Sequence, residues 1–171
     1  MSLLDNWRFC PRCGGPLTIE PDHLACLACA EQYWANSIPG VQGILEREGR
    51  VLLARRGRDP RRGHWDLPGG FLAEAEAPLD GLRREFREET GLEIEPLEFL
   101  GIWMDKYGYD SGAENTLNLY WEARVTTGEE CAADDVAELR WFAPSELPWD
   151  ELAFECNAKV LSAWTGRNEH S

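Results

Sequence analysis

The chain has 171 residues, a formal charge of −14 and a hydrophobic content of 43%. That length holds one ordinary domain plus a small module, and the charge excludes a surface that grips duplex nucleic acid through its phosphates. No apolar run approaches the ~20 residues needed to span a membrane, and no basic stretch followed by an apolar one opens the chain, so a cytoplasmic protein is expected.

The first stretch, residues 1–36, carries two C-x2-C pairs, Cys10-Pro11-Arg12-Cys13 and Cys26-Leu27-Ala28-Cys29. Four thiolates presented by two such turns complete a tetrahedral Zn²⁺ site, and Gly14-Gly15 lets backbone N–H groups approach sulfur. Disulfides or a redox pair are the alternatives, but the doubled spacing in so short a segment favours zinc. A segment this small cannot bury a core, so metal must supply its fold, and structural Zn²⁺ contributes ~10–16 kcal/mol. A nucleic-acid-binding ribbon is disfavoured, because Arg8 and Arg12 are outnumbered by Asp5, Glu20, Asp22 and Glu31. Phe9, Tyr33 and Trp34 are expected to pack the ribbon onto its neighbour. Cys131 and Cys156 stand alone and read as ordinary buried or partly buried thiols.

Residues 36–40 read as a linker. Strands are expected over 41–46 and 50–54 around a turn at Glu48-Gly49. Arg55, Arg56, Arg58, Arg61 and Arg62 then crowd a short stretch of an otherwise acidic chain. They suit either substrate phosphates or nearby carboxylates, with Arg55 and Arg56 the candidate phosphate contacts.

Pro78 fits the first turn of a helix and Gly91 the position just past its end. Between them Leu79, Leu82 and Phe86 repeat at the spacing of one apolar face. Glu85, Glu88 and Glu89 stand at i, i+3 and i+4, so three carboxylates share one edge. At ~6 Å and an effective dielectric of about 20, each pair repels by roughly 3 kcal/mol. A solvated acidic helix is the bland explanation. The chemical one is that hard carboxylate oxygens in this arrangement select Mg²⁺ or Mn²⁺.

Beyond the helix, an apolar run over 94–104 interrupted by Pro96 reads as a strand that bends. Residues 105–115 read as a mobile loop carrying Tyr107 and Tyr109, which with nearby Trp103 are candidates to offer a flat surface to a base or flavin. Leu117, Leu119, Trp121, Ala123 and Val125 alternate with polar residues as a half-buried strand does. A further short strand is expected over 139–142. Leu152, Cys156, Val160 and Trp164 mark a C-terminal helix ending near Gly166.

The spacing Gly70, Glu76, Arg84-Glu85, Glu88-Glu89 and Gly91-Leu92 resembles the Nudix box, G-x5-E-x7-R-E-U-x-E-E-x-G-U, at every fixed glycine, glutamate and arginine. Trp65-Asp66-Leu67-Pro68-Gly69 is similar to the family's approach to the box. Phe86 departs from the usual aliphatic residue, and Ala77 from an often-found capping serine. The resemblance spans roughly residues 37–165 and implies an α/β/α sandwich with a mixed sheet, preceded by a small zinc ribbon. The domains are then 1–36, the ribbon, and 37–171, the hydrolase. It also implies divalent metal on Glu85, Glu88, Glu89 and the Gly70 carbonyl, with Arg84 holding the glutamates and Glu76 supporting the loop. Relatives differ in their general base or extra metal ligand; the later candidates here are Glu114, Asp134, Asp135 and Glu138.

A cysteine ribbon before the box resembles the zinc-ribbon branch of the family, which includes NADH, ADP-ribose and FAD pyrophosphatases. Tyr33-Trp34-Ala35-Asn36 is similar to the entry of that branch's catalytic domain, with Ser37 where proline is common. The Ser-Gln-Pro-Trp segment of NADH pyrophosphatases is missing, which counts against NADH. The leading expectation is hydrolysis of a phosphoanhydride in a nucleoside diphosphate linked to another moiety. The rivals are a nucleoside-triphosphate pyrophosphohydrolase and a non-catalytic nucleotide sensor. The expected partners are a small nucleotide and, at most, a second copy of the chain.

Overall fold

A computed structural model describes residues 4, 6–109 and 113–168. The N-terminal segment forms an antiparallel three-stranded sheet from β1 (Leu17–Ile19), β2 (Leu24–Cys26) and β3 (Gln32–Tyr33). Such short strands bury little: Phe9, Ile19, Leu27 and Trp34 all lie exposed. The expectation that Phe9 and Trp34 pack this segment onto its neighbour is therefore corrected. Trp34 stacks on His23, and Tyr33 pairs with Trp7 and places its Oη 3.1 Å from Cys10 Sγ, so these rings serve the segment itself.

The second sheet has seven strands. β4 (Ile38–Arg47) and β5 (Arg50–Arg56) are joined by a two-residue turn, with Glu48 at φ 54° and Gly49 at φ 73°, the left-handed pair that matches strand twist. Both strands run longer than the apolar periodicity alone marks, because main-chain pairing continues past the last buried side chain. β6 (Trp65–Asp66) and β7 (Gly69–Phe71) follow, then α1 (Pro78–Thr90), β8 (Leu92–Tyr107), β9 (Glu114–Gly128), β10 (Val136–Phe142) and α2 (Glu155–Asn168). The main path is β10-β5-β4-β9-β8, with β6 on β5 and β7 on β4. β4 and β9 are parallel and the other pairs antiparallel, so the sheet is mixed.

Register shifts interrupt β8 between Pro96 and Phe99 and again before Gly101. Proline has no N–H to give the ladder, and the bulges absorb its loss. Part of the expected loop is strand: β8 runs through Tyr107 and β9 resumes at Glu114, while residues 110–112 lie outside the described residues. Leu152 precedes α2 instead of starting it.

Alternation along β4 divides the core in two. Val41 and Leu45 face α1 with Leu82, Phe86, Leu92 and Ile94. Ile44 faces α2 with Leu53, Trp65, Tyr120, Val160, Leu161 and Trp164. Trp103 meets Tyr120 edge-on, its ring centroid 5.3 Å away, on that second side. Its role is packing, and the expectation of a base-stacking Trp103 is corrected. Cys156 is buried as expected, whereas Cys131 is exposed. Among the described residues no helix is long and apolar enough to cross a membrane.

Gly43 fixes how closely α1 approaches the sheet, since a Cβ there would lie 2.7 Å from Phe86 Cε2. The aromatic Phe86 of the box and the bare backbone of Gly43 thus form one contact. Gly43→Ala should destabilise the fold by about 1–3 kcal/mol through overpacking, and Gly43→Ala/Phe86→Leu should recover part of that loss in thermal melts.

Candidate active site

The acidic floor of the cleft is assembled from the strand β7, the C-terminal half of α1 and, far along the chain, the segment before β10. Helix α1 begins with proline in its first turn, has no side-chain cap at Ala77, and closes at Gly91 in the left-handed conformation, with the Gly91 N–H bonded to Arg87 O. The absent cap is the structural meaning of the missing serine. Gly70 leaves room for the Glu85 carboxylate, which a Cβ there, 2.6 Å away, would push aside.

Arg84 organises the acids. Its Nε and Nη2 donate to the two carboxylate oxygens of Glu76, at 2.7 and 2.8 Å, in a two-pronged ion pair. Nη1 donates to Glu85 Oε1 at 2.7 Å and Glu88 Oε2 at 3.0 Å, and Nη2 also reaches Phe71 O at 3.1 Å. Arg84, with the Ala73 N–H, holds the Glu76 carboxyl down to about 2. Glu88 is half exposed, with Arg84 as its partner.

Glu89 is different. It is buried, and its Oε2 accepts the Gly69 N–H at 2.9 Å. Burial pushes its carboxyl well above the usual range, against the Gly69 hydrogen bond, and the nearby charges of Asp135, Asp66 and Glu85 push the same way. Burial also raises Glu85, with Arg84 opposing and Glu88 and Asp135 adding. A carboxylate group this deep with so little cationic compensation is a site prepared for positive charge.

These acids floor a cleft of about 290 Å³ whose lining includes Gly69, Gly70, Glu85, Glu89, Asp134 and Asp135. Its other wall holds Arg56, Lys106, Phe71, Tyr107 and Phe154, with Gln42, Asn118 and Cys156 deeper in. Arg56 Nη1 donates to Asp66 Oδ2 at 2.9 Å and Nη2 to Tyr107 Oη at 3.1 Å. Tyr107 stacks on Phe154 with centroids 5.6 Å apart. Burial raises the Asp66 carboxyl, while Arg56 and Asn157 work to lower it.

Several candidates fall elsewhere. Arg55 donates through Nε to Gly63 O and reaches Glu138 at 3.4 Å, outside the cleft lining. Glu138 is held between Arg55 and Arg140. Tyr109 donates to Asp59 Oδ1 at 2.7 Å and accepts the Arg61 N–H at 2.8 Å, which ties down the β5–β6 connection. Glu114 opens β9 opposite Tyr107 and is not part of the lining. Sequence reasoning missed Phe154, Asn157 and Gln42 altogether. Gln42 alone carried a signal, as a polar residue inside an apolar strand; Phe154 and Asn157 reach the site only when α2 docks.

In the N-terminal sheet, the four Sγ atoms of Cys10, Cys13, Cys26 and Cys29 lie within 4.8 Å of one another, and all are free thiols. The pairs Cys10–Cys29 and Cys13–Cys26 are 3.8 and 3.6 Å apart. A tetrahedron with metal–sulfur bonds of ~2.3 Å has edges of about 3.8 Å, so the donor set fits Zn²⁺. A Cβ on Gly15 would lie 3.3 Å from both Cys13 Sγ and Cys26 Sγ. Against burial, which raises it, the Tyr33 hydroxyl and the Cys13 and Arg12 N–H groups bring the Cys10 thiol down to about 6.

The family model described as NUDIX domain matches residues 37–164. The chain is 33% identical over 115 residues to an ADP-ribose pyrophosphatase of Methanocaldococcus jannaschii, across 67% of this chain and 66% of that protein. It is 26% identical over 149 residues to the NAD-capped RNA hydrolase NudC of Vibrio parahaemolyticus, across 85% of this chain and 55% of that protein. The chain thus spans about two thirds of the first relative and about half of the second. A NUDIX hydrolase from Nitrosomonas europaea superposes with a TM-score of 0.82 at 25% identity, covering 96% of this chain and 94% of that one. Box, fold and matched family agree: this chain belongs to the Nudix hydrolase family.

Proposed function

We propose that the chain hydrolyses the phosphoanhydride of a nucleoside diphosphate linked to a second moiety, with ADP-ribose or FAD preferred to a nucleoside triphosphate. The observation that carries this is the cleft itself: an acidic floor of buried Glu89 with half-buried Glu85 and Asp135 faces the cation Arg56 and the aromatics Tyr107 and Phe154 across one small volume. The matched relatives support it, since one is an ADP-ribose pyrophosphatase and the other acts on NAD-capped RNA.

Nudix enzymes generally need a divalent ion such as Mg²⁺ or Mn²⁺. The buried, underpaired Glu89 and the hard oxygens around it fit one. Glu85, Glu88, Glu89 and the Gly70 carbonyl would hold it, and when bound it supplies positive charge to phosphate oxygens. The chain's own side chains do the rest. Arg56 and Lys106 line the approach to the acidic floor and draw the diphosphate in. Arg56 is kept in place by Asp66, and Tyr107 with Phe154 gives a flat apolar wall for the attached ring. Of the two acids of the later segment that line the cleft, Asp134 is paired with Arg58, and Asp135 takes the proton from the attacking water. Glu138, committed to two arginines, does not. Residues 1–36 form a ribbon held by Zn²⁺ on Cys10, Cys13, Cys26 and Cys29, and residues 37–171 form the catalytic domain.

Glu89→Gln should lower kcat by roughly 10²-fold or more with the fold intact, and Glu88→Gln, already exposed and shared with Arg84, should cost less. Wild-type turnover by Glu89→Gln would refute the metal assignment. Asp135→Asn should likewise lower kcat by about 10²-fold, while Glu138→Gln stays within a few-fold of wild type; the reverse order would move the base to Glu138. For substrate class, kcat/KM is compared for ADP-ribose, FAD, NADH and nucleoside triphosphates with products identified. AMP plus a phosphorylated partner is expected, and a triphosphate preferred by tenfold, about 1.4 kcal/mol, would establish the triphosphate reading instead. Metal analysis of protein purified without added zinc should find about one equivalent, diminished in Cys10→Ser.

A further inference from the structure

Away from the acidic floor, the cleft is lined by polar side chains that the chemistry of the anhydride does not use. Asp105 of β8 and Thr116 and Asn118 of β9 meet there beside Gly40 of β4. Asn118 is 8% exposed, and a side-chain amide this deep needs partners for its oxygen as well as its nitrogen. Its Nδ2 donates to Thr116 Oγ1 at 2.9 Å and towards Trp103 O at 3.4 Å. The Trp103 carbonyl only accepts, so it fixes which way the amide faces. That leaves Asn118 Oδ1 with no hydrogen bond among the described residues.

Gly40 keeps that oxygen open to the cleft. A Cβ there would lie 2.9 Å from Asn118 Oδ1, whereas the next atom, Gly70 O, is at an ordinary 3.5 Å. Asp105 faces Thr116 across the ladder and adds a second acceptor. Its Oδ1 takes the Lys106 N–H and its Oδ2 the Cys156 N–H, both at 2.7 Å, and each oxygen retains a lone pair. These acceptors border the aromatic wall: Asp105 stands two residues before Tyr107, Cys156 two after Phe154, and the rings of Tyr107 and Phe154 stack. A flat apolar surface is thus edged by carbonyl and carboxylate oxygens. A planar ring with an amino group at its edge satisfies both features. A ring with a carbonyl there sets oxygen against oxygen.

We propose that Asn118 Oδ1, with Asp105, accepts from an exocyclic amino group of the nucleobase and is the determinant of base specificity. The base then lies inward on Tyr107 and Phe154, and the moiety beyond the diphosphate points outward. The proposal rests on the reading of the cleft as a nucleoside-diphosphate site, and adds which end of the substrate is recognised and by which atoms. Discrimination follows because a base without the amino group leaves buried acceptors unpaired.

The test compares ADP-ribose with its hypoxanthine and unsubstituted-purine analogues, both of which lack the 6-amino group. Wild type should favour ADP-ribose over each by at least about tenfold in kcat/KM. Asn118→Leu keeps the volume and removes the oxygen, and should bring that ratio to within about twofold. Gly40→Ala leaves the Asn118 side chain in place and sets a methyl against Oδ1; it should do the same, and serves if Asn118→Leu does not fold. The ratio is taken within each protein, so a general loss of activity cancels. Equal rates for the three compounds in wild type, or a ratio that survives in either folded variant, would overturn the proposal. AMP and IMP, which hold no anhydride to cleave, are titrated calorimetrically with Mg²⁺ present. AMP should bind wild type about tenfold more tightly than IMP, and equal binding would overturn the amino-group site. If AMP is preferred but no nucleoside diphosphate derivative is cleaved, the base site stands and the reading of the cleft as catalytic fails.

Discussion

Arg84 is the group on which the cleft depends. One guanidinium donates to both oxygens of Glu76, to Glu85, to Glu88 and to the carbonyl of Phe71. It thereby ties the loop before α1, the helix itself and the strand carrying Gly70 into one unit. Three glutamates on one helix edge repel, and without a fixed cation among them the helix would be frustrated at its functional end. Arg84 relieves Glu85 and Glu88 and leaves Glu89 out. The division is useful, because the acid left out is the buried one, and its need for a counter-charge is left for a ligand to meet.

A second constraint comes from backbone approach. Gly43 under Phe86 and Gly70 under Glu85 are both places where a side chain would displace an essential neighbour. The first sets the depth of α1 on the sheet, and the second sets how close the carboxylate comes to the strand. The two contacts lie on successive parts of the same helix, so the position of the acids follows from packing as much as from charge. The aromatic box residue Phe86, unusual by the family pattern, is accommodated because β4 offers it a glycine.

The strands β4, β5, β8, β9 and β10, both helices and the spacing of the box were legible because their signals are local: the period of two in β9, the period of α1's apolar face, the proline at its start and the glycine at its end; the short strands β1–β3, β6 and β7 carried no such signal. The bulges of β8 were visible only as an interruption at Pro96. Less legible was which of many arginines and tyrosines reach the cleft. Arg55 and Arg56 are neighbours in a strand and point to opposite sides of the sheet, so only Arg56 lines the cleft. Tyr107 is the last residue of β8 and faces the cleft, whereas Tyr109 lies past the strand's end and ties down the arginine-rich turn. The ribbon's aromatics were misread because exposure of Phe9 and Trp34 cannot be inferred from residue type. Phe154 and Asn157 had no local signal, since their role depends on contacts made far along the chain.

That long reach has a consequence for how the protein is made. Asp66, buried in the cleft wall, accepts from Gln42 of β4, Arg56 of β5 and Asn157 of α2, the last of them 91 positions further along the chain. A buried carboxylate missing one of its partners is a costly state. During synthesis the box helix leaves the ribosome long before α2 does, and domains generally settle as units once their sequence has emerged. The acid-lined pocket is then incomplete until α2 arrives, so a partly made chain presents its carboxylates without the wall that Phe154 and Cys156 supply. Competence for chemistry is acquired only once α2 has docked, in the same event that closes the second half of the core.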